Sequence, residues 1–302
     1  MSERTILVTG ATGRLGGLVA RNLRNEHQLV PRVLVRPEHL QSPDWRAPAN
    51  MDVVTGDYDD AHSLQAALAG VEAVFLISPV HPEMRRREMA LAEQAARLAT
   101  PPRIVKISGL GTRPDSLVDS GRWHAEIEGG IRALGLPATF LRPLFFMQNL
   151  GFQIDAARSQ GVLRGAVADA AIAMVDARDI AEVAATVLLG GSPIEGLDVT
   201  LTGARAYTYE EIAGAFSDVL QRVVTYQRQS LDEARAGLLK AGQPGWHIEI
   251  LLQFNQAFIQ GWGAETSDTV QRVLGREPRS LEAYLAELAE GASTPGADPF
   301  PS

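Results

Sequence analysis

Short apolar runs alternate with helical patterns along the first 150 residues of the chain. The runs occupy residues 6–8, 32–35, 51–55, 74–77, 104–107 and 138–141. Continuous apolar runs of this length are typical of strands that are buried on both faces of a parallel sheet. Between them, apolar residues recur on one helical face behind Gly16, around Leu64, and over residues 84–98 and 123–134. This alternation predicts βαβ units, and therefore an α/β fold with a doubly wound parallel sheet and right-handed crossovers.

After residue 150 the pattern changes, because strands become rare and helices follow one another. One helix is predicted to begin behind Asp176, with Asp179 three residues on as an acidic form of the capping box. Thr208 and Glu211 form a capping box proper before a helix that ends at Leu220. A short strand is predicted at 199–201, and helices at 231–239, 247–260, 267–274 and 280–288. We expect a first domain at 1–150, a smaller helix-rich lobe at 151–290, and a disordered Gly- and Pro-rich tail at 291–302.

The first apolar run leads directly into three glycines with the spacing G-x-x-G-x-x-G. Gly10 permits a sharp turn, Gly13 permits close approach of a pyrophosphate to the backbone, and Gly16 permits close packing of helix on strand. The helix that opens behind them presents free amides and a positive dipole end to an anion. This context predicts a Rossmann-type dinucleotide-binding domain, with cofactor contacts from Gly10, Ala11, Thr12, Gly13, Arg14, Leu15 and Gly16.

The residue that ends the second apolar run indicates which dinucleotide to expect. NAD-binding folds of this type place an acidic residue there for the ribose 2′-hydroxyl. This chain has Arg36, and a guanidinium suits the 2′-phosphate of NADP(H). Arg14 is a second candidate for that phosphate. As the alternative, Arg36 is merely solvated at the strand end with Glu38 two residues on, which leaves NAD(H) open. Asp57 and Tyr58, behind the third run, are expected to border the adenine, although their segment is equally typical of a plain turn.

Composition narrows the classes of partner. The chain of 302 residues has 28 Lys and Arg against 36 Asp and Glu, a net charge of −8, which argues against nucleic acid or an anionic membrane as partner. It has no cysteine, which excludes disulfides, thiolate catalysis and cysteine metal sites. No apolar run approaches the roughly 20 residues that span a bilayer, and the N-terminus carries no signal-peptide pattern. We therefore expect a cytoplasmic protein.

Common catalytic motifs are absent from the sequence. None of the five tyrosines is followed four residues later by a lysine, so the tyrosine–lysine pair of ordinary short-chain dehydrogenases is missing. The G-x-S-x-G and H-E-x-x-H motifs are missing too. What remains is His124, with Glu128 four residues on and therefore on the same helical face. An imidazole that the carboxylate orients can donate a proton near neutral pH, and an exposed charge pair without a catalytic role is the alternative.

At this point the sequence resembles a known family. The motifs that carry the resemblance run from the glycine loop through Arg36, Gly56-Asp57-Tyr58, His124-x-x-x-Glu128 and Gly135-Leu136-Pro137 to Gly275-Arg276-Glu277-Pro278-Arg279. Together they are similar to the NmrA-like atypical short-chain dehydrogenases, with the triphenylmethane reductases and type-2 NADPH:quinone oxidoreductases closest in pattern. The resemblance covers nearly the whole chain except the tail. It implies NADP(H) binding, two lobes, and a substrate cleft between them.

The resemblance also implies further site residues. His124 falls where related benzylic ether reductases keep a catalytic lysine. Arg142-Pro143 replaces the Arg-Asn of the two subgroups, which removes a polar group near the nicotinamide and leaves the substrate open. As alternatives to contacts with the cofactor, Ser78 and Ser108 cap helices, and Phe145 and Phe146 belong to the core. The positions expected beside the ribose and nicotinamide are Ser78, Pro79, Ser108, Gly109, Pro143, Phe145 and Phe146.

Two functions follow as expectations. The first is an NADPH-dependent reductase that transfers hydride to an electron-poor aromatic or quinone-like molecule, which needs little protonation as the hydride arrives. The second is an NADP(H)-sensing regulatory protein without turnover, because the family includes both kinds. An apolar small-molecule pocket under the C-terminal helices favours the enzyme, and a homodimer stays open. The aromatic residues expected to line this pocket, or alternatively to form core, are Trp246, Phe254, Phe258 and Trp262.

Overall fold

A seven-stranded sheet with every neighbouring pair parallel forms the centre of the molecule. The structure is a computed structural model, and it describes residues 4–25, 27–40 and 50–291. The strand order is β3-β2-β1-β4-β5-β6-β8, so the chain reverses its direction of travel between β1 and β4. This confirms the predicted doubly wound α/β fold. The strands are β1 Thr5–Val8, β2 Arg32–Val35, β3 Asp52–Thr55, β4 Val71–Leu76, β5 Arg103–Ile107, β6 Ala138–Pro143 and β8 Asp198–Leu201.

Helices cover both faces of the sheet because its strand residues are buried on both sides. Ile6 and Val8 lie in one core, which α1, α7 and α11 cover, while Leu7 lies in the opposite core under α3, α4 and α5. The short helix α2, Pro37–Leu40, follows β2. The covering helices are α1 Arg14–Asn25, α3 Ala61–Leu68, α4 Met84–Ala96, α5 Asp119–Ala133, α7 Ala177–Leu189 and α11 Thr269–Leu274.

A second, smaller core lies beyond the carboxyl end of β6. Its apolar side chains come from a 3₁₀ helix, from α6, α8 and α12, and from Phe258 on α10. A two-stranded parallel sheet of β7 and β9 completes this lobe. Its elements are the 3₁₀ helix Met147–Gln153, α6 Ile154–Gln160, β7 Val162–Gly165, α8 Tyr209–Leu220, β9 Thr225–Arg228, α9 Leu231–Lys240, α10 Gly245–Ile259 and α12 Leu281–Ala289.

The segments behind residue 150 do not all belong to this lobe. Helix α7 packs on α1, and β8 pairs with β6 through Phe140 opposite Asp198, so both join the central sheet and its helical layer. The strand expected at 199–201 therefore exists, with a place in the main sheet that its sequence did not indicate. Strands β7 and β9 were not predicted at all. The predicted disordered tail lies outside the described residues from position 292 onward.

Helix caps agree with the sequence in two places and differ in one. Thr208 and Glu211 form the expected reciprocal capping box on α8, and the Asp176 side chain accepts from the amide of Arg178 at the start of α7. Asp179 does not complete a capping box there, because its carboxylate accepts instead from the backbone amide of Arg279, at 2.7 Å. Within the described residues, none of the helices is long and apolar enough to cross a membrane.

Candidate functional site

The glycine loop lies at the point where the chain reverses across the sheet, between the carboxyl ends of β1 and β4. Open α/β sheets bind their ligands in this crevice. Gly10 has a φ of +61°, which only glycine adopts without strain, and a Cβ on Gly16 would lie 2.3 Å from the Gly10 carbonyl oxygen. Gly13 has an ordinary φ, it is exposed, and a Cβ there would lie 3.3 Å from the same oxygen. Gly10 and Gly16 therefore shape the turn, while Gly13 leaves its outer face open to a ligand.

The side chain of Thr9 connects the two strand ends that form this crevice. Its buried hydroxyl lies 3.1 Å from the carbonyl oxygen of Phe75 and 2.8 Å from that of Ile77, and it accepts from the Ile77 amide at 2.9 Å. The ends of β1 and β4 are therefore held together by a side chain as well as by the strand ladder. The sequence offered a signal for this role, because a threonine follows three apolar residues immediately before Gly10.

Arg36 lies at the end of β2 with its guanidinium partly exposed. Its Nη1 lies 3.0 Å from Glu38 Oε1 and its Nη2 lies 2.7 Å from His39 Nε2, so the short helix α2 holds the cation at the sheet edge. Arg14 is in a different environment. Burial lowers the pKa of its guanidinium, and the hydroxyl of Tyr284 and the carboxylate of Asp176 oppose that effect. Arg14 therefore interacts with the C-terminal part of the chain, and Arg36 remains the better candidate for the 2′-phosphate.

Asp57 and Tyr58 follow β3 as expected. The Asp57 carboxylate accepts from the Asp59 amide at 2.8 Å, which is the plain turn that the sequence left open. The Tyr58 hydroxyl donates to the Ile77 carbonyl at 3.2 Å, and burial raises the pKa of this phenol. Tyr58 is thereby tied to the end of β4, beside the glycine loop. The contact of either residue with adenine stays a prediction.

A buried polar chain connects the loop after β4 to helix α5. Ser78 donates to Glu88 Oε1 from its amide at 3.1 Å and from its hydroxyl at 2.8 Å. Glu88 Oε2 lies 2.9 Å from Lys106 Nζ, and that nitrogen lies 3.0 Å from Nδ1 of His124. Lys106 is 0% exposed and Glu88 is 1% exposed. Sequence reasoning missed both, although a lysine inside an apolar strand and a glutamate between Met84 and Leu91 on one helical face are visible signals.

His124 is buried on α5 with the Cδ2–Nε2 edge of its ring towards Gly109. A Cβ on Gly109 would lie 3.6 Å from Cδ2 and 3.7 Å from Nε2 of that ring. Burial lowers the pKa of His124 well below the usual imidazole range, and the cations Lys106 and Arg142 lower it further. The lowered pKa speaks against the expectation that this residue gives up a proton near neutral pH, because it favours the neutral ring. A neutral imidazole still donates one hydrogen bond.

Glu128 has partners other than the predicted one. Its Oε1 accepts from the Ser108 hydroxyl at 2.7 Å, and both of its carboxylate oxygens receive the Arg142 guanidinium. No hydrogen bond joins His124 to Glu128 in the described part of the chain. The predicted orienting pair is therefore wrong in its contacts, because residues four apart on α5 meet different strands, Lys106 of β5 and Arg142 of β6. Glu128 instead holds Ser108 at the end of β5.

The two serines are not helix caps, which removes that alternative. Glu83 precedes α4 and Val118 precedes α5 in the N-cap positions, while Ser78 and Ser108 donate to buried glutamates. Both hydroxyls are thus fixed at the carboxyl edge of the sheet. Gly109 and the exposed Pro79 lie beside them. The contacts of these four residues with a cofactor stay a prediction.

The residues behind β6 lie between the two cores. Pro143 is the buried last residue of β6, Phe146 packs against the core of the sheet, and Phe145 packs against that of the smaller lobe. The rings of Phe145 and Phe258 meet edge to face at 5.8 Å between centroids. The segment behind β6 therefore directs the ring of Phe146 to the core of the sheet and the ring of Phe145 to the core of the smaller lobe.

Helix α10 covers the loops that follow β4 and β5. Trp246, Phe254 and Trp262 pack around Val118 and Trp123, and the Trp246 ring lies 5.1 Å from that of His81. Gln253 fixes the helix to α5, because it accepts from the Asp119 amide at 2.8 Å and donates to the Asp119 carboxylate at 3.0 Å. The helix that carries His124 is therefore attached directly to α10, which carries Trp246 and Phe254, while Trp262 lies just behind that helix.

Comparisons with known proteins identify the family of the chain. The profile of the NmrA-like family matches residues 2–285. A (4-alkanoyl-5-oxo-2,5-dihydrofuran-3-yl)methyl phosphate reductase from Streptomyces griseus is 36% identical over 289 residues, which cover 94% of this chain and 98% of the relative. An NAD(P)H azoreductase from Xenophilus azovorans is 32% identical, over 92% of this chain and 96% of its own.

Solved structures show the same fold over nearly the whole chain. An NADPH-dependent quinone oxidoreductase from Escherichia coli, complexed with NADPH, superposes with a TM-score of 0.82 at 28% identity, and the match covers 94% of this chain and 99% of that one. The Citrobacter sp. triphenylmethane reductase complexed with NADP(H) gives a TM-score of 0.81 at 26% identity, with the same coverage of 94% and 99%. The predicted family, fold and cofactor class are confirmed by these neighbours.

Proposed function

The chain belongs to the NmrA-like family, and we propose that it is an NADPH-dependent reductase that transfers hydride to an electron-poor aromatic or quinone-like small molecule. The relatives support the coarse activity, since the two curated ones are named as reductases and the two solved neighbours hold NADPH or NADP(H). They differ in what they reduce, so the acceptor has to be argued from the residues of this chain.

The residues at the sheet edge fit the cofactor. Gly13 leaves the loop open for a pyrophosphate at the start of α1, and Arg36 offers a cation for the 2′-phosphate. Ser78 and Ser108 are fixed by buried glutamates at the ends of β4 and β5, where the ribose and nicotinamide are expected. Bound NADPH would supply the hydride. The chain supplies the binding and orientation of both reactants.

One observation carries the choice of acceptor. His124 is buried and directs one ring edge at Gly109, which is expected to border the nicotinamide, and its lowered pKa favours the neutral ring. A neutral imidazole donates a hydrogen bond to charge that develops on an oxygen or nitrogen but is a poor source of a full proton. Quinone-like acceptors need the hydrogen bond at the hydride step and take the proton later from water. Aromatic side chains on α10 provide the apolar contact that such flat molecules require.

The experiment is NADPH oxidation against a panel of quinones, azo compounds and cationic dyes, with wild type and His124→Ala compared for each. We expect quinone reduction, with kcat reduced about 10²-fold in the variant. A cationic dye, which receives a bare hydride and develops no anion, should be nearly indifferent to the substitution. NADPH affinity should barely change, because the glycine loop and Arg36 hold the cofactor.

The outcomes separate the two functions. Equal and small losses for quinone and dye would remove His124 from the reaction. No NADPH oxidation with any acceptor, together with NADP(H)-dependent capture of a protein partner, would favour an NADP(H)-sensing regulator instead. Arg85→Ala on α4 is the matched control, since its exposed side chain pairs with Glu126 of α5.

A further inference from the structure

Lys106 carries a buried cation that the proposed reaction does not itself require. Its side chain is 0% exposed and projects from β5 towards α4 and α5. Three groups surround Nζ: the Ile107 carbonyl oxygen at 2.7 Å, Glu88 Oε2 at 2.9 Å and His124 Nδ1 at 3.0 Å. An ammonium has three protons and no lone pair, so each of its neighbours has to accept. The carbonyl accepts by its chemistry and the carboxylate is an ion-pair partner, so the hydrogen bond to His124 has to end on the lone pair of Nδ1.

Glu88 supports the charged form of this pair. Its Oε1 accepts from both the amide and the hydroxyl of Ser78. Hydrogen bonds of this kind favour the ionised carboxylate. Glu88 Oε2 lies 2.9 Å from Nζ, and the two side chains form a buried ion pair in which Lys106 is the ammonium.

We propose that Lys106 is a positioning residue that holds His124 as the neutral tautomer with its proton on Nε2. A neutral imidazole has one N–H, and with Nδ1 occupied as acceptor the proton lies on Nε2. Nε2 belongs to the ring edge that faces Gly109. Resting on the proposed function, this places the only ring N–H of His124 towards the acceptor and the nicotinamide.

The charges around His124 favour the same state over the neutral pH range. Lys106 approaches from β5 and Arg142 from β6, and both are cations that disfavour a second ring proton. The carboxylate of Glu88 on α4 is paired with Lys106, and that of Glu128 on α5 itself is paired with Arg142. The donor is therefore constant with pH, which a solvent-exposed histidine would not be.

Nitrogen NMR of protein containing ¹⁵N-labelled histidine tests this tautomer directly. The chain has six histidines, and a spectrum of His124→Asn identifies the signals of position 124. We expect a protonated Nε2 and an unprotonated Nδ1 that do not change between about pH 6 and pH 8. A proton on Nδ1, or a ring that titrates in this range, would overturn the proposal. This measurement needs no acceptor, so it remains decisive even when no turnover is found.

The double variant Lys106→Met with Glu88→Gln tests the cause. It removes both buried charges together, so that neither remains unpaired, and the glutamine oxygen still accepts from Ser78. We expect the two tautomers of His124 to mix and the ring to titrate nearer to the usual pKa of about 6.5. With a quinone acceptor, kcat should fall about tenfold and depend on pH on the acid side, whereas KM and NADPH affinity should change little.

The matched control is Arg85→Met with Glu126→Gln, an exposed ion pair that joins the same two helices. It should leave the histidine signals and kcat unchanged. An unchanged His124 tautomer in the folded Lys106→Met, Glu88→Gln protein would reduce Lys106 to a structural residue. If that protein does not fold, the spectrum of the wild type decides.

Discussion

Among single residues, Arg36 is the one on which the choice of dinucleotide depends. Its guanidinium is 42% exposed and is held at the end of β2 by Glu38 and His39. One charge-assisted contact with the 2′-phosphate is worth about 1.5–3 kcal/mol, so NADPH should bind at least about tenfold more tightly than NADH. Arg36→Ala should remove most of this preference. Titration of both cofactors into both proteins measures it.

Arg235→Ala is the control for the lost charge, because Arg235 lies on the surface of α9 and pairs with Glu249. It should leave the ratio of the two dissociation constants unchanged. Equal affinities of the parent protein for NADPH and NADH would contradict the role of Arg36.

Gly13 and Gly16 separate binding from folding. A side chain on Gly13 points into the open side of the loop, so Gly13→Val should abolish NADPH binding in a protein that still folds. Even Gly16→Ala should destabilise the fold itself, because its Cβ would lie 2.3 Å from the Gly10 carbonyl oxygen and 2.7 Å from that of Thr9. Thermal melts with and without NADPH distinguish these effects, since a ligand at 100 times its dissociation constant adds about 2.7 kcal/mol. An NADPH-dependent shift that persists in Gly13→Val would refute the placement of the pyrophosphate.

At the scale of elements, a buried carboxylate on α7 holds the segment that leads into α12. Asp179 is 0% exposed, and it accepts from the Arg279 amide at 2.7 Å, from the Arg276 guanidinium at 2.8 Å and from that of Arg279. Glu182, one turn further along α7, receives the same two guanidinium groups but is 29% exposed. The Gly-Arg-Glu-Pro-Arg motif of the sequence thus attaches the smaller lobe to the helix that packs on α1.

Asp179→Asn should therefore lower the free energy of unfolding by about 3 kcal/mol, at the lower end for a broken buried pair because both arginines reach solvent. Glu182→Gln, which removes the same charge from the same partners at a more exposed position, should cost about 1 kcal/mol or less. Urea denaturation of the three proteins measures the difference. Equal losses would show that burial of Asp179 does not set its contribution.

The sequence predicts those elements whose burial is uniform. Strands β1, β2, β4, β5 and β6 are largely buried, and their continuous apolar runs made them visible; β3 is only half-buried but carries such a run as well. Strand β8 alternates between exposed and buried residues, and β9 exposes three of its four residues. The sequence pattern therefore does not show that β8 pairs with β6 or that β9 pairs with β7. Pairing of distant segments depends on contacts that local periodicity does not contain.

The same limit applies to the site. The spacing along α5 correctly placed His124 and Glu128 on one helix. It did not show that His124 contacts Lys106 of β5, or that Glu128 contacts Arg142 of β6. Which strand residues the side chains of a helix contact depends on the order of the strands in the sheet. The glycine loop, in contrast, is local in sequence, and there the predicted roles of Gly10 and Gly16 agree with the backbone.

For the whole molecule, the positions of the buried ionisable groups matter more than the net charge of −8. Glu88, Lys106, His124 and Glu128 all lie at the carboxyl end of the sheet, on the side that α4 and α5 cover. Burial and the neighbouring cations lower the pKa of His124, which favours the neutral ring that the proposed reaction uses. For the same reason the folded protein does not protonate this ring as readily as the unfolded chain does when the pH falls. Folding and site chemistry are therefore linked through one ring.

This linkage predicts a pH dependence of stability. In the unfolded chain His124 takes up a proton as the pH falls through about 6.5, whereas in the folded protein its lowered pKa prevents this. The unfolded state then binds more protons, so stability is complete above about pH 6.5 and decreases below it by up to about 1.4 kcal/mol per pH unit. Asn at this position does not titrate and still offers Lys106 an acceptor. Urea denaturation between about pH 5 and 7 should therefore show wild type losing up to about 2 kcal/mol more than His124→Asn, with the effects of carboxylates and of His81 cancelling in the comparison. Parallel stability curves would mean that the folded protein binds the proton at His124 as readily as the unfolded chain does.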